Sequence, residues 1–452
     1  MTNMESAFVK NTIHSLWTNV ALIGLGFVLN LLQARWLGPE GKGGYDLFVA
    51  TGGLLMIALG FPAPSGVSYI TASSPVSLPR MARWLLRVAL VQGLVILFLL
   101  GVAERSGVLW TFLPRWSNRG IIVISAVYVF LTILTSYWRA ILIGQLEIIS
   151  ANRIFVLTRL ADLLLFLGLL GWVWVFGQSL DLPMVIYLLL ISALISNGLC
   201  LYRLRVPLMA TSQGISGFRQ AVKYSVPCYL GSLILFLNTR LDMFLISALM
   251  DQKAVGLYAL SANLAHLVWL LSISVAKALL PKVASEQHLP SRNAYLTAQA
   301  TRLSFYLSFI AGILLSLFSI AALPLVYGDA FRGSIAPLLW LMPGVVAIGP
   351  AFILAAYIAG IGKPQINSYI LFVGLLATVT LDLVLIPRFG IAGAAFASTL
   401  SFLISTGLTL WFFMRNSGIH IQNIFLLTPE DIRLAISLSR MISHRVRLRN
   451  AG

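Results

Sequence analysis

Long apolar segments constrain this chain more than any other feature of its sequence. A helix needs about 20 mostly apolar residues to cross the hydrocarbon core of a bilayer. Twelve segments of the sequence meet this condition: 13–34, 45–70, 83–103, 120–141, 154–176, 183–202, 224–249, 255–280, 299–325, 335–358, 367–387 and 390–413. The composition agrees, because only 10% of the 452 residues are charged, against about 25% in soluble domains. We therefore predict an all-α polytopic membrane protein with about 12 transmembrane helices.

The loops and the rare residue types exclude several other classes of protein. The longest loops, at about 203–223 and 281–298, are too short to form an extramembrane domain. The two cysteines and five histidines show no disulfide framework and no metal-ligand spacing, so we expect no cofactor. The polar first residues, MTNMESAFVKN, argue against a cleavable signal peptide.

Lys and Arg residues determine the predicted orientation. A net charge of +17 suggests nucleic acid binding in a soluble protein, but in a membrane protein Lys and Arg collect in cytoplasmic loops. With the N-terminus in the cytoplasm, more than half of the 31 Lys and Arg residues fall on cytoplasmic loops and on the tail. We therefore predict that both termini are cytoplasmic and that nucleic acid is not a partner.

The two halves of the chain carry similar turn motifs. GKGGYDLF at 41–48 corresponds to KAVGLYAL at 253–260. IGQLEIIS at 143–150 corresponds to IGKPQINS at 361–368, an offset of 218 residues. Each half contains six predicted spans, so both halves enter the membrane in the same direction, as in parallel transporter repeats.

This repeat predicts two parallel six-helix lobes around a central cavity. The lobes comprise 1–202 and 224–413, and a basic cytoplasmic linker, 203–223, joins them. In the basic cytoplasmic tail, 414–452, a helix start at Thr428 precedes apolar residues that alternate with arginines. This pattern predicts an amphipathic surface helix on anionic inner-leaflet lipids. The alternative is a partly disordered tail that only enforces the topology.

Several stretches of the sequence resemble one family of exporters. They are QARWLGPEGKGGYDLF, LNTRLDMFLISALMDQKAVGLYAL, AAYIAGIGKPQINSYI and LDLVLIPRFGIAGAAFASTLS. From about residue 10 to 415, the chain is similar to the oligosaccharide flippase, polysaccharide biosynthesis (Wzx-like) branch of the multidrug/oligosaccharidyl-lipid/polysaccharide exporter superfamily. Order and spacing of these stretches carry the resemblance, since each motif is loose by itself.

The resemblance implies a function and a location. Such proteins move an isoprenoid-pyrophosphate-linked oligosaccharide repeat unit from the cytoplasmic to the outer leaflet by alternating access, for surface polysaccharide biosynthesis. The membrane is then the plasma or inner membrane of a bacterium or archaeon. The implied partners are the lipid-linked oligosaccharide and the polysaccharide polymerase machinery. A coupling ion (proton or sodium) or the membrane potential drives transport, without covalent chemistry.

Charged residues within the predicted spans are the candidate binding residues, because a charge at the bilayer centre costs a few kcal/mol even on the lenient insertion scales. The cations among them are Arg87, Arg139, Arg159, Arg240, Lys277 and Arg302. Arginine suits a pyrophosphate, since its planar fork binds two oxygens. We predict that a cationic cavity binds the substrate through Arg240, Arg159, Lys277, Arg87, Arg302, Asn30 and Asn238.

Structural alternatives exist for most of these cations. Arg87, Arg139 and Arg302 lie near a membrane face, where the charged end of the side chain can reach water. Arg159 can instead pair with Asp162, three residues further along the same helix. The sequence leaves both interpretations open.

The acids within the spans are candidates for ion coupling. They are Asp242, Asp382 and Asp162. Asp242 lies two residues after Arg240, so the two side chains do not face each other on a helix. A carboxyl group isolated in a medium of low dielectric binds a proton more readily. An ion pair or an interhelical hydrogen bond is the alternative for these acids, as it is for Asn30 and Asn238.

The stretch GFPAPSG, 60–66, interrupts the second predicted span. Pro62 and Pro64 free backbone carbonyl groups there, which a cavity or neighbouring helices must satisfy. A hinge and a fixed kink both fit this pattern.

Three other functions compete with the flippase. A multidrug exporter of the same superfamily is the main alternative, but cationic drugs favour acids in the cavity, and here the cations within spans outnumber the acids. A peptidoglycan-precursor flippase commonly has two further spans. A glycan polymerase or ligase holds its active site on a sizeable outer loop, whereas the largest outer loop here, at about 104–119, is short. We therefore predict that the protein is not an enzyme.

Overall fold

The computed structural model describes residues 3–61, 64–73, 78–107, 120–204, 218–286 and 288–426. No strand occurs within these ranges, so the all-α prediction is confirmed. The helices are α1 (Asn3–Leu59), α2 (Pro64–Ser73), α3 (Leu78–Arg105), α4 (Gly120–Gly144), α5 (Ile148–Phe176), α6 (Leu182–Leu204), α7 (Phe218–Leu249), α8 (Gln252–Ala265), α9 (Leu270–Ser285), α10 (Pro290–Ala321), α11 (Leu323–Tyr327), α12 (Ile335–Gly360), α13 (Pro364–Ser417) and α14 (Ile421–Phe425), with a 3₁₀ turn at Asp329–Ser334.

Nine helices in the described part of the chain are long and apolar enough to cross a membrane. Large apolar side chains such as Phe98 and Trp174 are exposed on their surfaces, as expected for helices that face lipid tails. The chain is therefore a multi-pass membrane protein. The count of twelve spans stays a prediction, because α1 and α13 each combine two predicted spans in one bent helix.

Single glycines bend these two long helices. Gly38 in α1 has φ 66° and ψ 179°, and Gly390 in α13 has φ 60° and ψ −141°. Glycine adopts such backbone angles without a steric penalty because it has no Cβ atom. Pro39 follows the first bend and Pro387 precedes the second. Since proline removes a helical hydrogen bond, each bend lies where the helix is already weakened.

The chain divides into two compact units. The first comprises Met1–Ala259 with Leu325–Phe331, and the second comprises Leu260–Pro324 with Arg332–Gly452. Helix α7 packs on α1 and α2 and belongs to the first unit. The predicted lobes 1–202 and 224–413 stay a prediction. Residues 205–217 of the predicted linker, and the tail after residue 426, lie outside the described residues.

One helix lies at the centre of each unit. In α4, half of an apolar 18-residue segment is buried in the first unit; in α12, 61% of the corresponding segment is buried in the second. In the other membrane-length helices of the described ranges, a third or less of such a segment is buried. Helices α4 and α12 are the fourth and tenth predicted spans, so they hold equivalent positions in the two halves of the repeat.

The first repeat motif forms a close helix crossing within the first unit. A Cβ atom on Gly43 would overlap the carbonyl oxygen of Gln252, and one on Gly256 would overlap that of Pro39. Gln252 and Pro39 each lie four residues before the glycine on their own helix, so the contact is the same in both directions. This reciprocity is the contact expected between two equivalent helix starts related by a pseudo-twofold axis.

The second repeat motif is a left-handed turn that the sequence comparison aligned incorrectly. The positive φ values lie at Leu146 (62°) and Gly362 (81°). In both turns the next residue, Glu147 or Lys363, donates its N–H to the carbonyl group five residues earlier. Leu146 therefore corresponds to Gly362, whereas the sequence motif paired Gly144 with Gly362. The offset of 218 is wrong by two residues, because the motif matched letters rather than backbone conformation.

Neighbouring helices bind two carbonyl groups in the described residues just before the break that precedes α2. Gln92 of α3 donates to the Phe61 carbonyl oxygen at 2.7 Å. The Tyr229 hydroxyl of α7 donates to the Ala58 carbonyl oxygen at 2.6 Å, and its ring packs edge-on against Phe61. These partners make the break a supported kink in this state.

Candidate functional site

A polar cleft opens inside the first unit between α4, α5 and α6. Its volume is about 200 Å³. Arg139 from α4 and Phe155, Arg159 and Asp162 from α5 line it. Hydroxyl groups cover much of the remaining wall, from Tyr128, Thr132, Thr135, Ser136, Thr158, Ser192 and Ser196. All three helices are long enough to cross a membrane, so we call this site the intramembrane cleft.

Two guanidinium groups approach one aromatic ring in the intramembrane cleft. The Arg139 guanidinium lies 4.2 Å from the centre of the Phe155 ring, and that of Arg159 lies 5.7 Å from it. Such cation–π contacts hold the guanidinium planes and leave N–H groups for other partners. Arg159 Nη1 also contacts Asp162 Oδ2 at 3.1 Å.

The charges of the intramembrane cleft do not balance. Asp162 pairs with Arg159, whereas Arg139 has no carboxylate partner within the described residues. Its Nε is buried and donates no hydrogen bond there. The lining therefore carries a net positive charge, which favours an anionic group in the cleft.

The hydroxyl groups of the cleft wall are mostly oriented by their own helices. Thr132, Thr135 and Thr158 each donate to the carbonyl oxygen four residues earlier, at 2.8 to 2.9 Å. Asn197 of α6 donates to Thr135 Oγ1 at 2.8 Å and ties α6 to α4. A hydroxyl oxygen that donates in this way keeps acceptor capacity, so the wall can accept hydrogen bonds from a hydroxylated ligand.

The structure brings few of the predicted binding residues into this cleft. Arg159 and Asp162 lie in it, and they form the internal pair that the sequence left as an alternative. Arg87 on α3 and Lys277 on α9 are exposed. Their predicted contacts with substrate stay predictions.

Arg302 is buried and binds backbone carbonyl groups in the second unit. It is 2% exposed, and Nη1 donates to the carbonyl oxygens of Asn423 at 2.7 Å and Leu426 at 3.0 Å. The Tyr306 hydroxyl donates to the Phe425 carbonyl oxygen at 2.9 Å. The last carbonyl groups of a helix lack partners within it, so these side chains cap α14. This geometry gives Arg302 an anchoring role; its predicted substrate contact stays a prediction.

The polar residues of α1 and α7 have mixed surroundings. Arg240 is half-buried, with Nη1 3.6 Å from Met243 Sδ. Asn238 is buried and donates to the Ile234 carbonyl oxygen on its own helix at 3.0 Å. Asn30 is half-buried. None of these contacts tests a role in substrate binding.

The two remaining candidate acids are deeply buried. Asp242 is 4% exposed and accepts a short hydrogen bond from the Tyr258 hydroxyl of α8. Asp382 is fully buried in α13. Within the described ranges, no cluster of three or more His, Cys, Asp or Glu side chains has the geometry of a metal site. The predicted coupling ion stays a proposal.

Sequence analysis missed a buried ion pair in the first unit. Lys42, which lies between the first two predicted spans, is 1% exposed and binds Asp46 Oδ1. Its Nζ also lies 5.0 Å from the Tyr45 ring centre. The available signal was the spacing of four residues, which places the two charges on one helical face. The spacing does not show that the pair is buried, which only the packed structure reveals.

The fold is that of transporters of the MOP superfamily. Lipid II flippase MurJ in an inward closed conformation matches with a TM-score of 0.71 at 15% identity, over 90% of each chain. An inward-facing multidrug resistance MATE family transporter of that superfamily matches at 0.68 and 16% identity, over 87% of this chain and 94% of that one. A Pyrococcus furiosus transporter whose binding pocket has reverse polarity matches at 0.62 and 16% identity, over 90% and 96%.

The family model supports the same assignment from sequence. Residues 119–336 match the model of the polysaccharide biosynthesis protein family, which is slightly less than half of the chain. A comparison with curated protein sequences found no significant match. The predicted resemblance to polysaccharide biosynthesis proteins with a MOP-superfamily fold is therefore confirmed. The related proteins are transporters and flippases, in agreement with a function that is not enzymatic.

Proposed function

We propose that this protein moves an isoprenoid-pyrophosphate-linked oligosaccharide repeat unit from the cytoplasmic to the outer leaflet of the plasma membrane, for surface polysaccharide biosynthesis. One observation carries the proposal: the intramembrane cleft holds two guanidinium groups, Arg139 and Arg159, against one carboxylate. An excess of positive charge inside a membrane is costly. A pyrophosphate that passes through the protein offsets that cost.

The chemistry of the cleft suits both parts of this head group. Arg139 and Arg159 offer N–H donors to phosphate oxygens in a fixed fork. The threonine and serine hydroxyls of α4 and α6 suit sugar hydroxyl groups. The isoprenoid tail stays in the bilayer while the head group crosses. Alternating access then exposes the head group first to the cytoplasmic and later to the outer side, with both termini cytoplasmic.

The energy source in this proposal is a proton or sodium gradient, or the membrane potential. Asp162, Asp242 and Asp382 are the candidate coupling residues. Asp162 is distinguished from the other two by its place in the cleft beside Arg159. A proton on Asp162 would weaken its ion pair with Arg159, so that Arg159 could bind the substrate. Proton binding and substrate binding would then be coupled at one site.

The test is to determine on which leaflet the labelled lipid-linked oligosaccharide accumulates in a strain that lacks this gene. The intact gene is expected to reverse accumulation on the cytoplasmic leaflet. The Arg139→Gln variant is expected to lower transfer by about tenfold or more, because a charged hydrogen bond contributes about 1.5–3 kcal/mol. The matched control is Arg153→Gln, which removes an exposed arginine from α5.

A multidrug exporter is the second candidate function, favoured by the likeness to MATE family transporters. In that case the strain accumulates no lipid-linked oligosaccharide and becomes sensitive to cationic drugs. If the Arg139→Gln variant transfers the lipid-linked oligosaccharide fully, the flippase function stands, but the intramembrane cleft is not its anion site.

A further inference from the structure

The connection between α10 and α12 is divided between the two units of the chain. Residues Leu325–Phe331 belong to the first unit, whereas Pro324 before them and Arg332 after them belong to the second. We call Leu325–Phe331 the strap. The strap therefore packs as part of one unit, while the chain at both of its ends is part of the other.

Arg35 of α1 holds the strap within the first unit. Its Nε donates to the Val326 carbonyl oxygen and its Nη2 to the Leu325 carbonyl oxygen, both at 2.5 Å. The last carbonyl groups of a helix such as α11 lack partners within it. The positive charge of the guanidinium strengthens both hydrogen bonds. Since both acceptors are backbone atoms, this attachment does not depend on the side chains of the strap.

An aromatic contact attaches the strap to α1 a second time. Phe27, about two turns before Arg35 on the same helix, packs edge-on against Tyr327 with the ring centres 6.4 Å apart. Tyr327 packs in the same way against Phe331 at 6.3 Å. Both residues of the strap are 1% exposed. The strap is therefore an ordered part of the first unit in this state.

The connection that contains the strap has little slack. Helical elements cover residues 321–335 except Ala322 and Gly328. A residue outside a helix adds at most about 3.6 Å of reach, even when fully extended. A movement of the second unit relative to the first by more than a few such lengths therefore pulls on the contacts between the strap and α1.

The hydrogen bonds of Arg35 are suited to repeated release. Both are exposed, so water can replace the carbonyl groups at little cost. The bonds of Arg302 to the end of α14, by contrast, are partly buried. Arg35 thus makes the same type of contact as Arg302, but in surroundings where the contact can break and form again.

We propose that Arg35 is a releasable fastener: it holds the strap on α1 in this state, and the strap leaves α1 when the protein opens to the outer side. In the predicted orientation, Arg35 follows the first span and the strap follows the ninth, so both lie at the outer face of the membrane. The inference rests on the alternating access of the proposed function. It does not depend on the cargo, because no residue of the intramembrane cleft takes part.

The first test measures the attachment without any cargo. Hydrogen–deuterium exchange of the purified full-length protein in detergent reports how often residues 325–331 detach. The Arg35→Gln variant is expected to speed exchange there by about threefold or more, because two hydrogen bonds to the strap are lost. Arg388→Gln, which removes an exposed arginine of α13, is the control and should leave this exchange unchanged. Equal exchange in the two variants would show that Arg35 does not hold the strap.

The second test measures whether release is needed for transport. The Arg35→Cys/Leu325→Cys variant is made in a chain that also carries Cys200→Ala and Cys228→Ala, which remove its two own cysteines. A short bifunctional methanethiosulfonate reagent then takes the place of the arginine side chain and joins the strap to α1. Transport of lipid-linked oligosaccharide in membrane vesicles is measured before cross-linking, after it, and after reduction of the link.

Cross-linking is expected to lower transport by about tenfold or more, and reduction is expected to restore it, because a fixed strap blocks a conformational step of the cycle. The Arg35→Cys variant alone, treated with the same reagent, should keep its own untreated rate within about twofold. The proposal is wrong if the cross-linked protein transports at the full rate.

A failure of the proposed function gives a different result. In that case the intact protein moves no lipid-linked oligosaccharide in the vesicles, whether or not the strap is fixed. The same cross-link is then tested on export of a cationic drug, the second candidate cargo, with the same expected block. The exchange measurement decides the role of Arg35 in either case, since it involves no cargo.

Discussion

Arg139 in the intramembrane cleft and Arg302 in the second unit are both arginines on helices of membrane length, yet their surroundings differ. Arg302 is 2% exposed, and carbonyl groups of Asn423 and Leu426 occupy its guanidinium. Arg139 stacks on Phe155 and lines the open intramembrane cleft. Arg302 is therefore part of the scaffold, whereas Arg139 remains available to a ligand.

This difference separates the membrane cations into two groups. Lys42 and Arg302 are anchored, because Asp46 binds Lys42 Nζ and two backbone carbonyl groups bind Arg302 Nη1. Arg139 and Arg159 are cleft cations, which line an open space. Removing an anchored cation strands a buried partner and lowers stability. Removing a cleft cation leaves the fold and lowers transport. The variants below test this separation, in order of the expected loss of stability.

The largest loss of stability is expected for Lys42→Met. This change leaves Asp46 as a buried charge without its partner, and breaking a buried pair costs about 3–5 kcal/mol. Unfolding of the purified protein in detergent measures the loss. The double variant Lys42→Met/Asp46→Leu is expected to recover most of it, because no charge remains to be compensated. A single variant as stable as the original protein would contradict an anchoring role.

A smaller loss is expected for Arg302→Met. The carbonyl groups of Asn423 and Leu426 lose their donor, but both hydrogen bonds are only partly buried, so the expected loss is about 1–3 kcal/mol in total. Arg292→Met, an exposed change on the same helix, is the control and is expected to leave stability unchanged. Transport per inserted molecule should be normal in both variants. Lost transport at unchanged stability would instead make Arg302 a substrate ligand, as the sequence predicted.

Arg159→Gln is expected to change stability by less than about 1 kcal/mol, because its pair with Asp162 is partly exposed and solvent screens it. The arginine side chain is 43% exposed. Transport should nevertheless fall, since the net charge of the intramembrane cleft disappears. Unfolding and leaflet accumulation, measured on the same preparation of cells, distinguish these two effects. A variant that loses stability but transports normally would move Arg159 to the anchored group.

The smallest change in stability is expected for Arg240→Ala, within about 0.5 kcal/mol, because the side chain is only half-buried. Arg240 is half-buried beside Met243, and we predict that this variant folds and inserts but does not export lipid-linked sugar. Membrane abundance and leaflet accumulation are the two measurements. Unchanged export in a normally inserted variant would remove Arg240 from the substrate-binding residues.

Local features of the sequence predicted much of the fold. Apolar runs predicted most of the long helices, because the length of such a run is a local property that the bilayer selects. The joins between spans were less accurate. The predicted spans end at residues 34 and 387 and resume at 45 and 390, so the sequence placed a break near each bend, but it did not show that α1 and α13 continue as bent helices through Gly38 and Gly390. Turn motifs located both repeats but misaligned the second by two residues.

The composition of the candidate site was harder to predict than the fold. Depth within a span identified Arg139, Arg159 and Arg302 as unusual cations, but depth does not reveal which groups another helix brings near. Arg302 meets carbonyl groups more than a hundred residues away in the chain. The ion pair of Lys42 and Asp46 was missed because burial depends on tertiary packing, which the spacing of four residues does not reveal.

The sequence by itself determined that this chain is a multi-pass helical membrane protein that resembles polysaccharide biosynthesis proteins, and it predicted a parallel repeat. These conclusions follow from apolar length, charge distribution and motif order, all of which are properties of neighbouring residues. Only the tertiary structure decided which membrane cations are anchored and which line the intramembrane cleft. The physical reason is that the cost of a charge in a membrane depends on its partners, and helices distant in the sequence supply them.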